Sequence, residues 1–508
     1  MSLANLIFNK TKDYRDLIAI NCQGQTISYS DLNTRSLKLA SLINDYGFSK
    51  ETLAIIGKKN ISSYVAILGT LYAGCSYTPL NDSYNITKTK KILDITNAKI
   101  IIGESSSLEK LEKKGIDFSK FIVITNDYLD KSNFKSLSQS NILKSPISNN
   151  LDDLCYILFT SGSTGEPKGV KINNSNILEF IKNMSKTYDL KPGFRASQTF
   201  DFSFDPSVSD IFFTWFKGGV LCVLPEEERL IPTDFIKREK INFWNSVPSI
   251  ALFMEKMGHL PSNNFPDLKY SMFCGEQFPK YIADAWKKAA PNSTIENLYG
   301  PTEATIYISR YNYIEKFKDD NFKNGILPIG NPFDDHDVII IDEDFSELED
   351  GEIGEICFSG KQLSTGYLND LKKSNVVFVN FKNKKWYKTG DTGFKNKMGY
   401  VECLGRKDNQ IKISGRRIEI GEIEFVLSKF NKTKNAVVIP IRDEREIVIG
   451  CVAFIIESIN KDEELEIRSK STQYLDKVFF PKRIITIENF PLTVSGKIDR
   501  RKLEEFIF

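Results

Sequence analysis

The chain has 508 residues, of which 41% are hydrophobic and 26% are charged, as in an ordinary soluble globular protein of more than one domain. Its 68 Lys and Arg residues nearly balance its 66 Asp and Glu residues, so the net charge of +2 gives no electrostatic argument for a nucleic-acid or membrane-surface partner. Two histidines, and eight cysteines without a CxxC pair, argue against histidine-rich metal, zinc and thioredoxin-like sites.

The N-terminal segment lacks the basic and then apolar pattern of a signal peptide, and no apolar run approaches the roughly 18 residues that span a bilayer. We therefore expect a cytoplasmic protein with reduced cysteines and no membrane partner. No heptad repeat or large apolar face is visible, which favours a monomer.

Before Leu404, short β-branched apolar runs alternate with amphipathic stretches. This alternation predicts βαβ units and parallel sheets with flanking helices. The predicted helices are Ser62–Tyr72 and Pro279–Ala290. The predicted strands include Leu53–Gly57, Ile100–Gly103, Phe121–Thr125 and Val220–Leu224.

The pattern changes after the charged, glycine-containing segment LGRKDN (Leu404–Asn409). Strands are predicted near Val437–Ile441 and Val448–Ile455, and a helix near Thr472–Val478. The sequence therefore predicts a large N-terminal α/β domain over 1–406 and a small, mobile α+β domain over 407–508, with the boundary at Lys407–Asp408.

An apolar run, Leu154–Thr160, fits a buried strand and leads directly into the loop SGSTGEPKG (Ser161–Gly169). Glycines let a backbone approach a ligand closely and point its amides inward. The spacing differs from a Walker A loop, in which four residues separate the glycines. The segment therefore predicts a polyphosphate site rather than a plain surface loop; its residues are Thr160, Ser161, Gly162, Ser163, Thr164, Gly165 and Lys168.

The stretch LFTSGSTGEPKGV (Leu158–Val170) resembles the signature loop of the adenylate-forming superfamily, which comprises acyl- and aryl-CoA ligases, peptide-synthetase adenylation domains and luciferases. Other segments resemble that superfamily's further motifs, in the same order along nearly the whole chain. They are ISYSDLN (27–33), LYAGCSYTPLN (71–81), FDPSVSDIF (204–212), NLYGPTEATI (297–306), GEIGEICFSGKQLSTGYLND (351–370), YKTGDTG (387–393), GRKDNQIKISGRRIEIGEIE (405–424) and LTVSGKIDRRKL (492–503).

This resemblance implies the roles of the nucleotide site, with ATP and Mg²⁺ as cofactors. Tyr299 is expected to stack on adenine, and Asn297 to hydrogen-bond its edge. Glu303, preceded by Thr302, is expected to hold the magnesium ion, and Asp391 to accept both ribose hydroxyls. Three further residues complete the expected nucleotide site: Gly275, Gly300 and Arg406.

The resemblance also places catalysis on Lys497. A substrate carboxylate is ionised at neutral pH, so its attack on the α-phosphate needs no general base. The barrier comes from repulsion between anions, and a Lys beside Mg²⁺ can offset the developing charge. For the second half-reaction, related enzymes rotate the small domain about a hinge, which is matched here by Asp408.

Asp205 opens FDPSVSD, where peptide-synthetase domains place an aspartate that pairs with the substrate's α-ammonium group. A buried carboxylate is costly unless it is paired, so Asp205 favours an amino-bearing acid; the alternative is that it caps the following helix. The expected pocket is mostly apolar, which disfavours charged substrate side chains. Besides Asp205 and Lys497 it comprises Pro206, Ser209, Ser246, Met272, Cys274, Leu298, Ile306 and Tyr307.

MFCGE (272–276) and NLYGPTEATI also resemble the D-alanine-activating ligases of teichoic-acid modification. Leu298, Ile306 and Tyr307 are bulkier than the small pocket of those ligases suggests. Two substrate classes therefore stay open: a small apolar amino acid, and a flat aromatic amino acid such as an aminobenzoate, held between Met272 and Tyr307.

The acceptor is expected to be the phosphopantetheine thiol of a separate carrier protein, since the chain contains no carrier segment after Lys497. Two alternatives remain. Free coenzyme A could be the acceptor, as in an acyl- or aryl-CoA ligase, although Asp205 argues against that class. The other alternative is a non-catalytic binding protein. The presence of all five expected catalytic and nucleotide-site residues argues against it: Lys168, Glu303, Asp391, Arg406 and Lys497.

Overall fold

In the computed structural model, the described residues are 2–82, 84, 86–125, 134–136, 142–160, 167–315, 322–407, 410–413, 415–431, 435–443, 448–456, 459–491 and 498–507. The chain divides into two compact units. The first comprises 1–82, 93–159 and 169–405, and the second comprises 83–92, 160–168 and 406–508. The main break thus falls between Gly405 and Arg406.

Up to Arg406 the chain alternates strands with helices. The strands are β1 (Ile18–Cys22), β2 (Gln25–Ser28), β3 (Thr52–Ile56), β4 (Ser76–Leu80), β5 (Ile100–Gly103), β6 (Ile122–Thr125), β7 (Phe134–Ser136), β8 (Leu154–Thr160), β9 (Lys168–Asn173), β10 (Arg195–Gln198), β11 (Val220–Val223), β12 (Phe243–Ser246), β13 (Tyr270–Cys274), β14 (Thr294–Tyr299), β15 (Ser309–Asn312), β16 (Asn331–Pro332), β17 (Asp337–Ile341), β18 (Gly354–Ser359), β19 (Phe378–Phe381), β20 (Lys384–Lys395) and β21 (Val401–Arg406).

The helices of the same part are α1 (Leu3–Asp13), α2 (Tyr29–Asp45), α3 (Ile61–Tyr72), α4 (Ile86–Thr96), α5 (Ser105–Lys113), α6 (Asn174–Thr187), α7 (Asp205–Phe216), α8 (Thr233–Arg238), α9 (Pro248–Lys256), α10 (Lys280–Ala289) and α11 (Leu371–Val377). All of the strands and helices predicted before Leu404 are confirmed to within two residues at each end.

Within the described residues, these strands form three sheets. One has the order β16-β15-β14-β13-β12-β10-β11-β1-β2, the second β7-β6-β5-β3-β4-β8-β9, and the third β17-β18-β20-β19 with β21 beside β20. Strands β10 to β14 pair in parallel, as do β3 to β6. The expected α/β class with parallel sheets and flanking helices is therefore confirmed.

The central strands of the largest sheet are buried on both faces. In β11 every residue is buried, and in β13 only the first is partly exposed. Helix α7 packs nearly all its length into the core, including Phe212, Phe213 and Trp215. No helix within the described ranges combines the length and the apolar character needed to cross a bilayer.

The part after Arg406 contains short antiparallel and mixed sheets with helices, as expected for an α+β unit. Its strands are β22 (Gln410–Ile413), β23 (Arg416–Glu419), β24 (Ala436–Arg442), β25 (Val448–Ile455) and β26 (Arg483–Thr486), and its helices are α12 (Ile420–Phe430), α13 (Lys461–Ser471) and α14 (Arg500–Glu504).

The helix predicted at Thr472–Val478 is wrong, because the helix of this region is α13, which ends at Ser471. Apolar periodicity missed it, since only Ile467 and Ser471 of α13 are buried. A capping box defines its start instead: the Asn460 side chain accepts from the Glu463 amide (2.9 Å), and the Glu463 carboxylate accepts from the Asn460 amide (2.9 Å).

Replacing Asn460 with Ala should therefore weaken α13 more than a substitution on its exposed face. We expect Asn460→Ala to cost about 1 kcal/mol, because one amide of the first turn loses its acceptor. Glu466→Ala, which removes only an exposed ion pair with Lys470, should cost less than about 0.5 kcal/mol. Hydrogen exchange of the α13 amides measures both, and equal effects would contradict the capping box.

Candidate functional site

Three parallel strands bring together four of the predicted pocket residues, Ser246, Met272, Cys274 and Leu298. β12, β13 and β14 pair so that Asn245 faces Met272, and Cys274 faces Leu298. Ser246 is the last residue of β12, and Tyr299 the last of β14. Because ligand sites of α/β sheets form at the carboxyl ends of the strands, this edge is the candidate site.

Tyr299 and Asp391 meet in the first unit, although they are 92 residues apart in sequence. The Tyr299 hydroxyl donates a hydrogen bond to Oδ2 of Asp391, and its ring stacks on Phe358 with the centroids 5.8 Å apart. The backbone amide of Asp391 donates to Oγ1 of Thr389 at 2.9 Å. Burial, and secondly the charge of Asp391, raise the pKa of Tyr299 well above its usual value.

Asn297 is buried two residues before Tyr299. Its Nδ2 donates to the carbonyl oxygens of Leu327 (3.3 Å) and Pro328 (2.8 Å). With the amide nitrogen committed to the backbone, the side chain can offer Oδ1 to a ligand as an acceptor. The amino group of adenine is a donor, so the expected contact with the adenine edge is chemically compatible.

Glu303 lies on a short 3₁₀ helix, Thr302–Ala304, and is 2% exposed. The Tyr367 hydroxyl donates to its Oε1 at 2.7 Å, and the Ser364 amide donates to its backbone carbonyl at 2.8 Å. A carboxylate is a hard oxygen ligand of the kind that Mg²⁺ takes, together with waters and phosphate oxygens. Among the described residues no group of three or more His, Cys, Asp or Glu could hold a metal ion by itself.

Sequence reasoning missed Tyr367, which orients that carboxylate. It lies in the segment STGYLND (364–370), which carried the family resemblance but no assigned role. Its backbone bridges to Val170 of β9, the strand that follows the glycine-rich loop in sequence. The pattern alone could not find the contact with Glu303, because the two residues are 64 positions apart.

The turn between Glu303 and β15 has an unusual backbone. Thr305 has φ +58° and Ile306 has φ +73°. Both lie in the left-handed region of backbone conformation, which residues other than glycine rarely adopt. A Cβ on Gly300 would lie 2.1 Å from the Ile306 carbonyl oxygen, so Gly300 lets the two segments touch. The predicted pocket residues Ile306 and Tyr307 are placed by this turn.

Asp205 is the first residue of α7, and the cap position is held by Phe204, which makes no side-chain capping bond. Asp205 therefore lies one residue inside the start of the helix, and its part in substrate binding stays a prediction. Asp205 is partly exposed, whereas Pro206 and Ser209 on the same helix are buried.

A buried polar network lies behind the pocket, centred on Asn245, which sequence reasoning also missed. Nδ2 of Asn245 donates to Oδ1 of Asp210 (2.7 Å) and to the Tyr307 hydroxyl (3.0 Å). The Tyr307 hydroxyl also lies 3.4 Å from Sγ of Cys274. Burial raises the pKa of Asp210 well above its usual value, although Asn245, the Thr199 backbone and Lys59 act in the opposite direction.

Several predicted site residues lie outside the described residues, among them the hinge Asp408 and the catalytic Lys497. The others are the loop residues Ser161, Gly162, Ser163, Thr164 and Gly165. Thr160 ends β8, Lys168 begins β9 and Arg406 ends β21, and all three belong to the second unit. Gly275 follows β13 with φ +86°.

The chain is similar to several known proteins. A family model described as AMP-binding enzyme matches residues 7–368. The D-alanine–D-alanyl carrier protein ligase of Listeria monocytogenes serotype 4b is 31% identical over 490 residues, covering 94% of each chain. Zwittermicin A synthase ZmaJ of Bacillus cereus is 30% identical over 501 residues, covering 96% of this chain and 92% of the relative.

A solved structure is similar over nearly the whole chain. The Vibrio cholerae adenylation domain AlmE, in complex with glycyl-adenosine-5'-phosphate, has a TM-score of 0.89 and 27% sequence identity, covering 99% of this chain and 97% of that one. The fold expected from the sequence is therefore shared with an adenylation domain.

Asp210 behind the pocket gives a prediction about pH. Its folded-state pKa lies above the unfolded value, so its contribution is most favourable below the unfolded pKa of about 3.9 and is lost as pH rises towards the folded pKa. Asp210→Asn keeps an oxygen that can accept from Asn245 and removes this dependence. We expect the stability of the variant relative to the unmodified chain to increase as pH rises above about 4, by up to about 1.4 kcal/mol per pH unit, until the folded-state pKa is reached.

Denaturant unfolding at a series of pH values measures this difference. Asp153→Asn is a contrasting control, because the amide of Asn150 and Lys50 lower the pKa of Asp153 instead. The free energy of unfolding of Asp153→Asn should fall relative to that of the unmodified chain as pH rises from low values. A pH-independent effect of Asp210→Asn would show that this carboxyl is not held protonated by burial.

Proposed function

This chain belongs to the AMP-binding enzyme family and is an adenylate-forming ligase, and from that premise we propose that it activates a small amino acid and loads it onto a carrier protein. In the first half-reaction, a carboxylate oxygen of the amino acid attacks the α-phosphorus of ATP and pyrophosphate leaves. In the second, a phosphopantetheine thiol attacks the acyl carbonyl, AMP leaves, and the thiol loses its proton.

The close packing of the pocket residues carries the proposal of a small substrate. Their relative exposures are 2% or less: Ser209 1%, Ser246 0%, Met272 0%, Cys274 2%, Leu298 1%, Ile306 1% and Tyr307 1%. Side chains that bound a void large enough for an aromatic ring would expose part of their surface to it. The packing therefore favours a small substrate side chain over an aromatic ring.

Tyr307 in particular argues against the aromatic alternative. To sandwich a ring with Met272, its own ring would need a free face. Its hydroxyl is tied to Asn245 and Cys274, and its ring lies against Phe180 with the centroids 6.0 Å apart. Moving the ring would break a buried hydrogen bond and leave polar groups unsatisfied, which costs about 1–3 kcal/mol for each group.

The relatives point to the same class of substrate. D-alanine is named for the Listeria ligase, and a glycyl adenylate is bound to the Vibrio cholerae domain. We accordingly assign the substrate class as glycine or alanine. Asp205, partly exposed at the start of α7, is proposed to pair with the α-ammonium group that such acids share.

The nucleotide is proposed to bind along the edge formed by Asn297, Tyr299 and Asp391. Tyr299 would contact adenine, Asn297 would accept from its amino group, and Asp391 would accept from the ribose. Glu303, oriented by Tyr367, would hold Mg²⁺, which supplies charge neutralisation at the phosphates when it is bound. Lys168 and Lys497 are proposed to contact the phosphates, with Lys497 supporting the charge that develops during attack.

A panel of amino acids in ATP–pyrophosphate exchange tests the substrate class. We expect exchange with glycine or an alanine enantiomer, and at least about 30-fold lower kcat/KM with phenylalanine and aminobenzoates, because larger groups must displace the packed pocket. Asp205→Ala should lower kcat/KM for the preferred amino acid by at least about 30-fold, because a charged partner of the ammonium group is lost.

Asp201→Asn is the matched control, since this partly buried aspartate lies four residues upstream and its carboxylate accepts from Ser203 at 2.5 Å. It should leave the order of substrates unchanged. Background exchange with every amino acid would refute the proposed function. A preference for aminobenzoates would refute the small pocket, and thioester formation on free coenzyme A but not on a phosphopantetheinylated carrier would identify a CoA ligase.

Lys497 and Asp408 should separate the two half-reactions. Lys497→Ala is expected to lower adenylate formation about 100- to 1,000-fold, because a positioned cation at the developing charge is lost, while transfer from a supplied aminoacyl adenylate stays near normal. Asp408→Pro should leave adenylate formation near normal and lower the transfer to the thiol, because proline stiffens the proposed hinge. Pyrophosphate exchange and thioester formation measure the two steps.

Lys502→Ala is the control, because Lys502 is exposed and lies on α14, five residues after Lys497. Both half-reactions should keep their rates in this variant. Equal loss of the two steps in Asp408→Pro would count against the hinge.

A further inference from the structure

The turn at Thr305–Ile306 has a backbone that the local sequence does not favour. Both residues have positive φ, and neither is glycine. The β-branched side chain of Ile306 makes this conformation a true outlier, because its Cβ substituents crowd the backbone. Such conformations persist only where the surrounding structure holds them in place.

The side chain of Gln362 supplies that restraint. Its Nε2 donates to the carbonyl oxygens of Ala304 (3.3 Å), Thr305 (3.2 Å) and Tyr307 (2.8 Å). The Thr305 hydroxyl donates back to the carbonyl of Gln362. The fully buried side-chain amide of Gln362 therefore binds three backbone carbonyls of the turn.

Gln362 is itself held from the opposite side by α6. Nδ2 of Asn183 donates to Oε1 of Gln362 at 2.9 Å, which fixes which end of the amide faces the turn. Asn176 lies about two turns earlier on the same face of α6 and donates to the carbonyls of Lys361 (2.9 Å) and Leu363 (3.0 Å). The helix thus fixes both the side chain and the backbone of this position.

The restrained turn separates two groups with different proposed tasks. Glu303 precedes it, and its carboxylate is proposed to hold the metal. Tyr307 follows it, and its ring is proposed to close the pocket. A change of backbone conformation at Thr305–Ile306 would move these groups relative to each other, since the turn is the only covalent link between them.

We propose that Gln362 is a positioning residue, which couples the metal-binding carboxylate to the floor of the amino acid pocket by holding the left-handed turn at Thr305–Ile306. This inference rests on the proposed function for its catalytic consequences, but not for its structural ones. Gln362 touches neither substrate nor nucleotide; it acts through the turn.

The test uses the full chain with Gln362→Met, which keeps the length of the side chain and removes its donors. Asn396→Leu is the matched control. That residue is also a buried amide with three hydrogen bonds, to Glu402 (2.8 Å) and from the amides of Met398 (3.0 Å) and Tyr400 (3.1 Å), but it makes none to the turn.

Hydrogen exchange measures the stability of the turn directly, because three of its backbone amides donate hydrogen bonds to backbone carbonyls. The pairs are Ala304 to Pro301, Thr305 to Thr302, and Ile308 to Tyr299. In Gln362→Met we expect at least about tenfold faster exchange of these amides, while Asn396→Leu leaves them unchanged. Exchange that stays at the rate of the unmodified chain in Gln362→Met would overturn the inference.

ATP–pyrophosphate exchange measures the consequence for substrate binding and selectivity. We expect Gln362→Met to raise KM for the preferred amino acid and to reduce its preference over leucine about tenfold, while Asn396→Leu lowers only the melting temperature. A fall in melting temperature with an unchanged preference would mean that Gln362 is merely structural. If the unmodified chain shows no exchange with any amino acid, the proposed function fails, and hydrogen exchange still decides the inference.

Thr305→Gly in the Gln362→Met background covers the case in which Gln362→Met alone folds poorly. Glycine adopts a positive φ without steric cost, so the turn then needs less restraint. We expect the double variant to recover folding, and part of the amide protection and selectivity. No recovery on any of these measures would show that Gln362 does not act through the strained backbone.

Discussion

The parallel pairing of β12, β13 and β14 is the constraint on which the candidate site depends. Parallel strands end at a common edge, so the register of the ladder decides which side chains become neighbours. Here it places Cys274 beside Leu298 and sets Ser246 and Tyr299 at the strand ends. A shift of one residue would turn these side chains to the opposite face of the sheet.

Hydrogen bonds between buried polar groups fix the side chains at this edge of the sheet. Asn245 ties Asp210 to Tyr307, Tyr367 orients Glu303, and Tyr299 donates to Asp391. In an interior of low polarity each of these bonds is costly to lose, because the partner left behind cannot turn to water. These bonds therefore hold the side chains at this edge in fixed positions.

The site also contains a strained backbone turn that the surrounding residues hold in place. The turn after Glu303 adopts a backbone that costs energy, and Gly300, Gln362 and α6 surround it closely enough to keep it. A relaxed turn would not hold a carboxylate and an aromatic ring at a fixed separation. We see this as the physical link between the nucleotide half of the site and the amino acid half.

The sequence by itself determined the α/β class, the parallel strands and the family, because apolar periodicity and ordered glycine-rich motifs are local properties. Tertiary structure alone decided how the site is built. Tyr367 meets Glu303 across 64 residues and Tyr299 meets Asp391 across 92, and no local pattern encodes such contacts. The sequence left Asp205 between helix cap and ligand, and the structure places it one residue after the cap position of α7. Side-chain partners depend on how separate elements pack, and packing is a property of the whole chain.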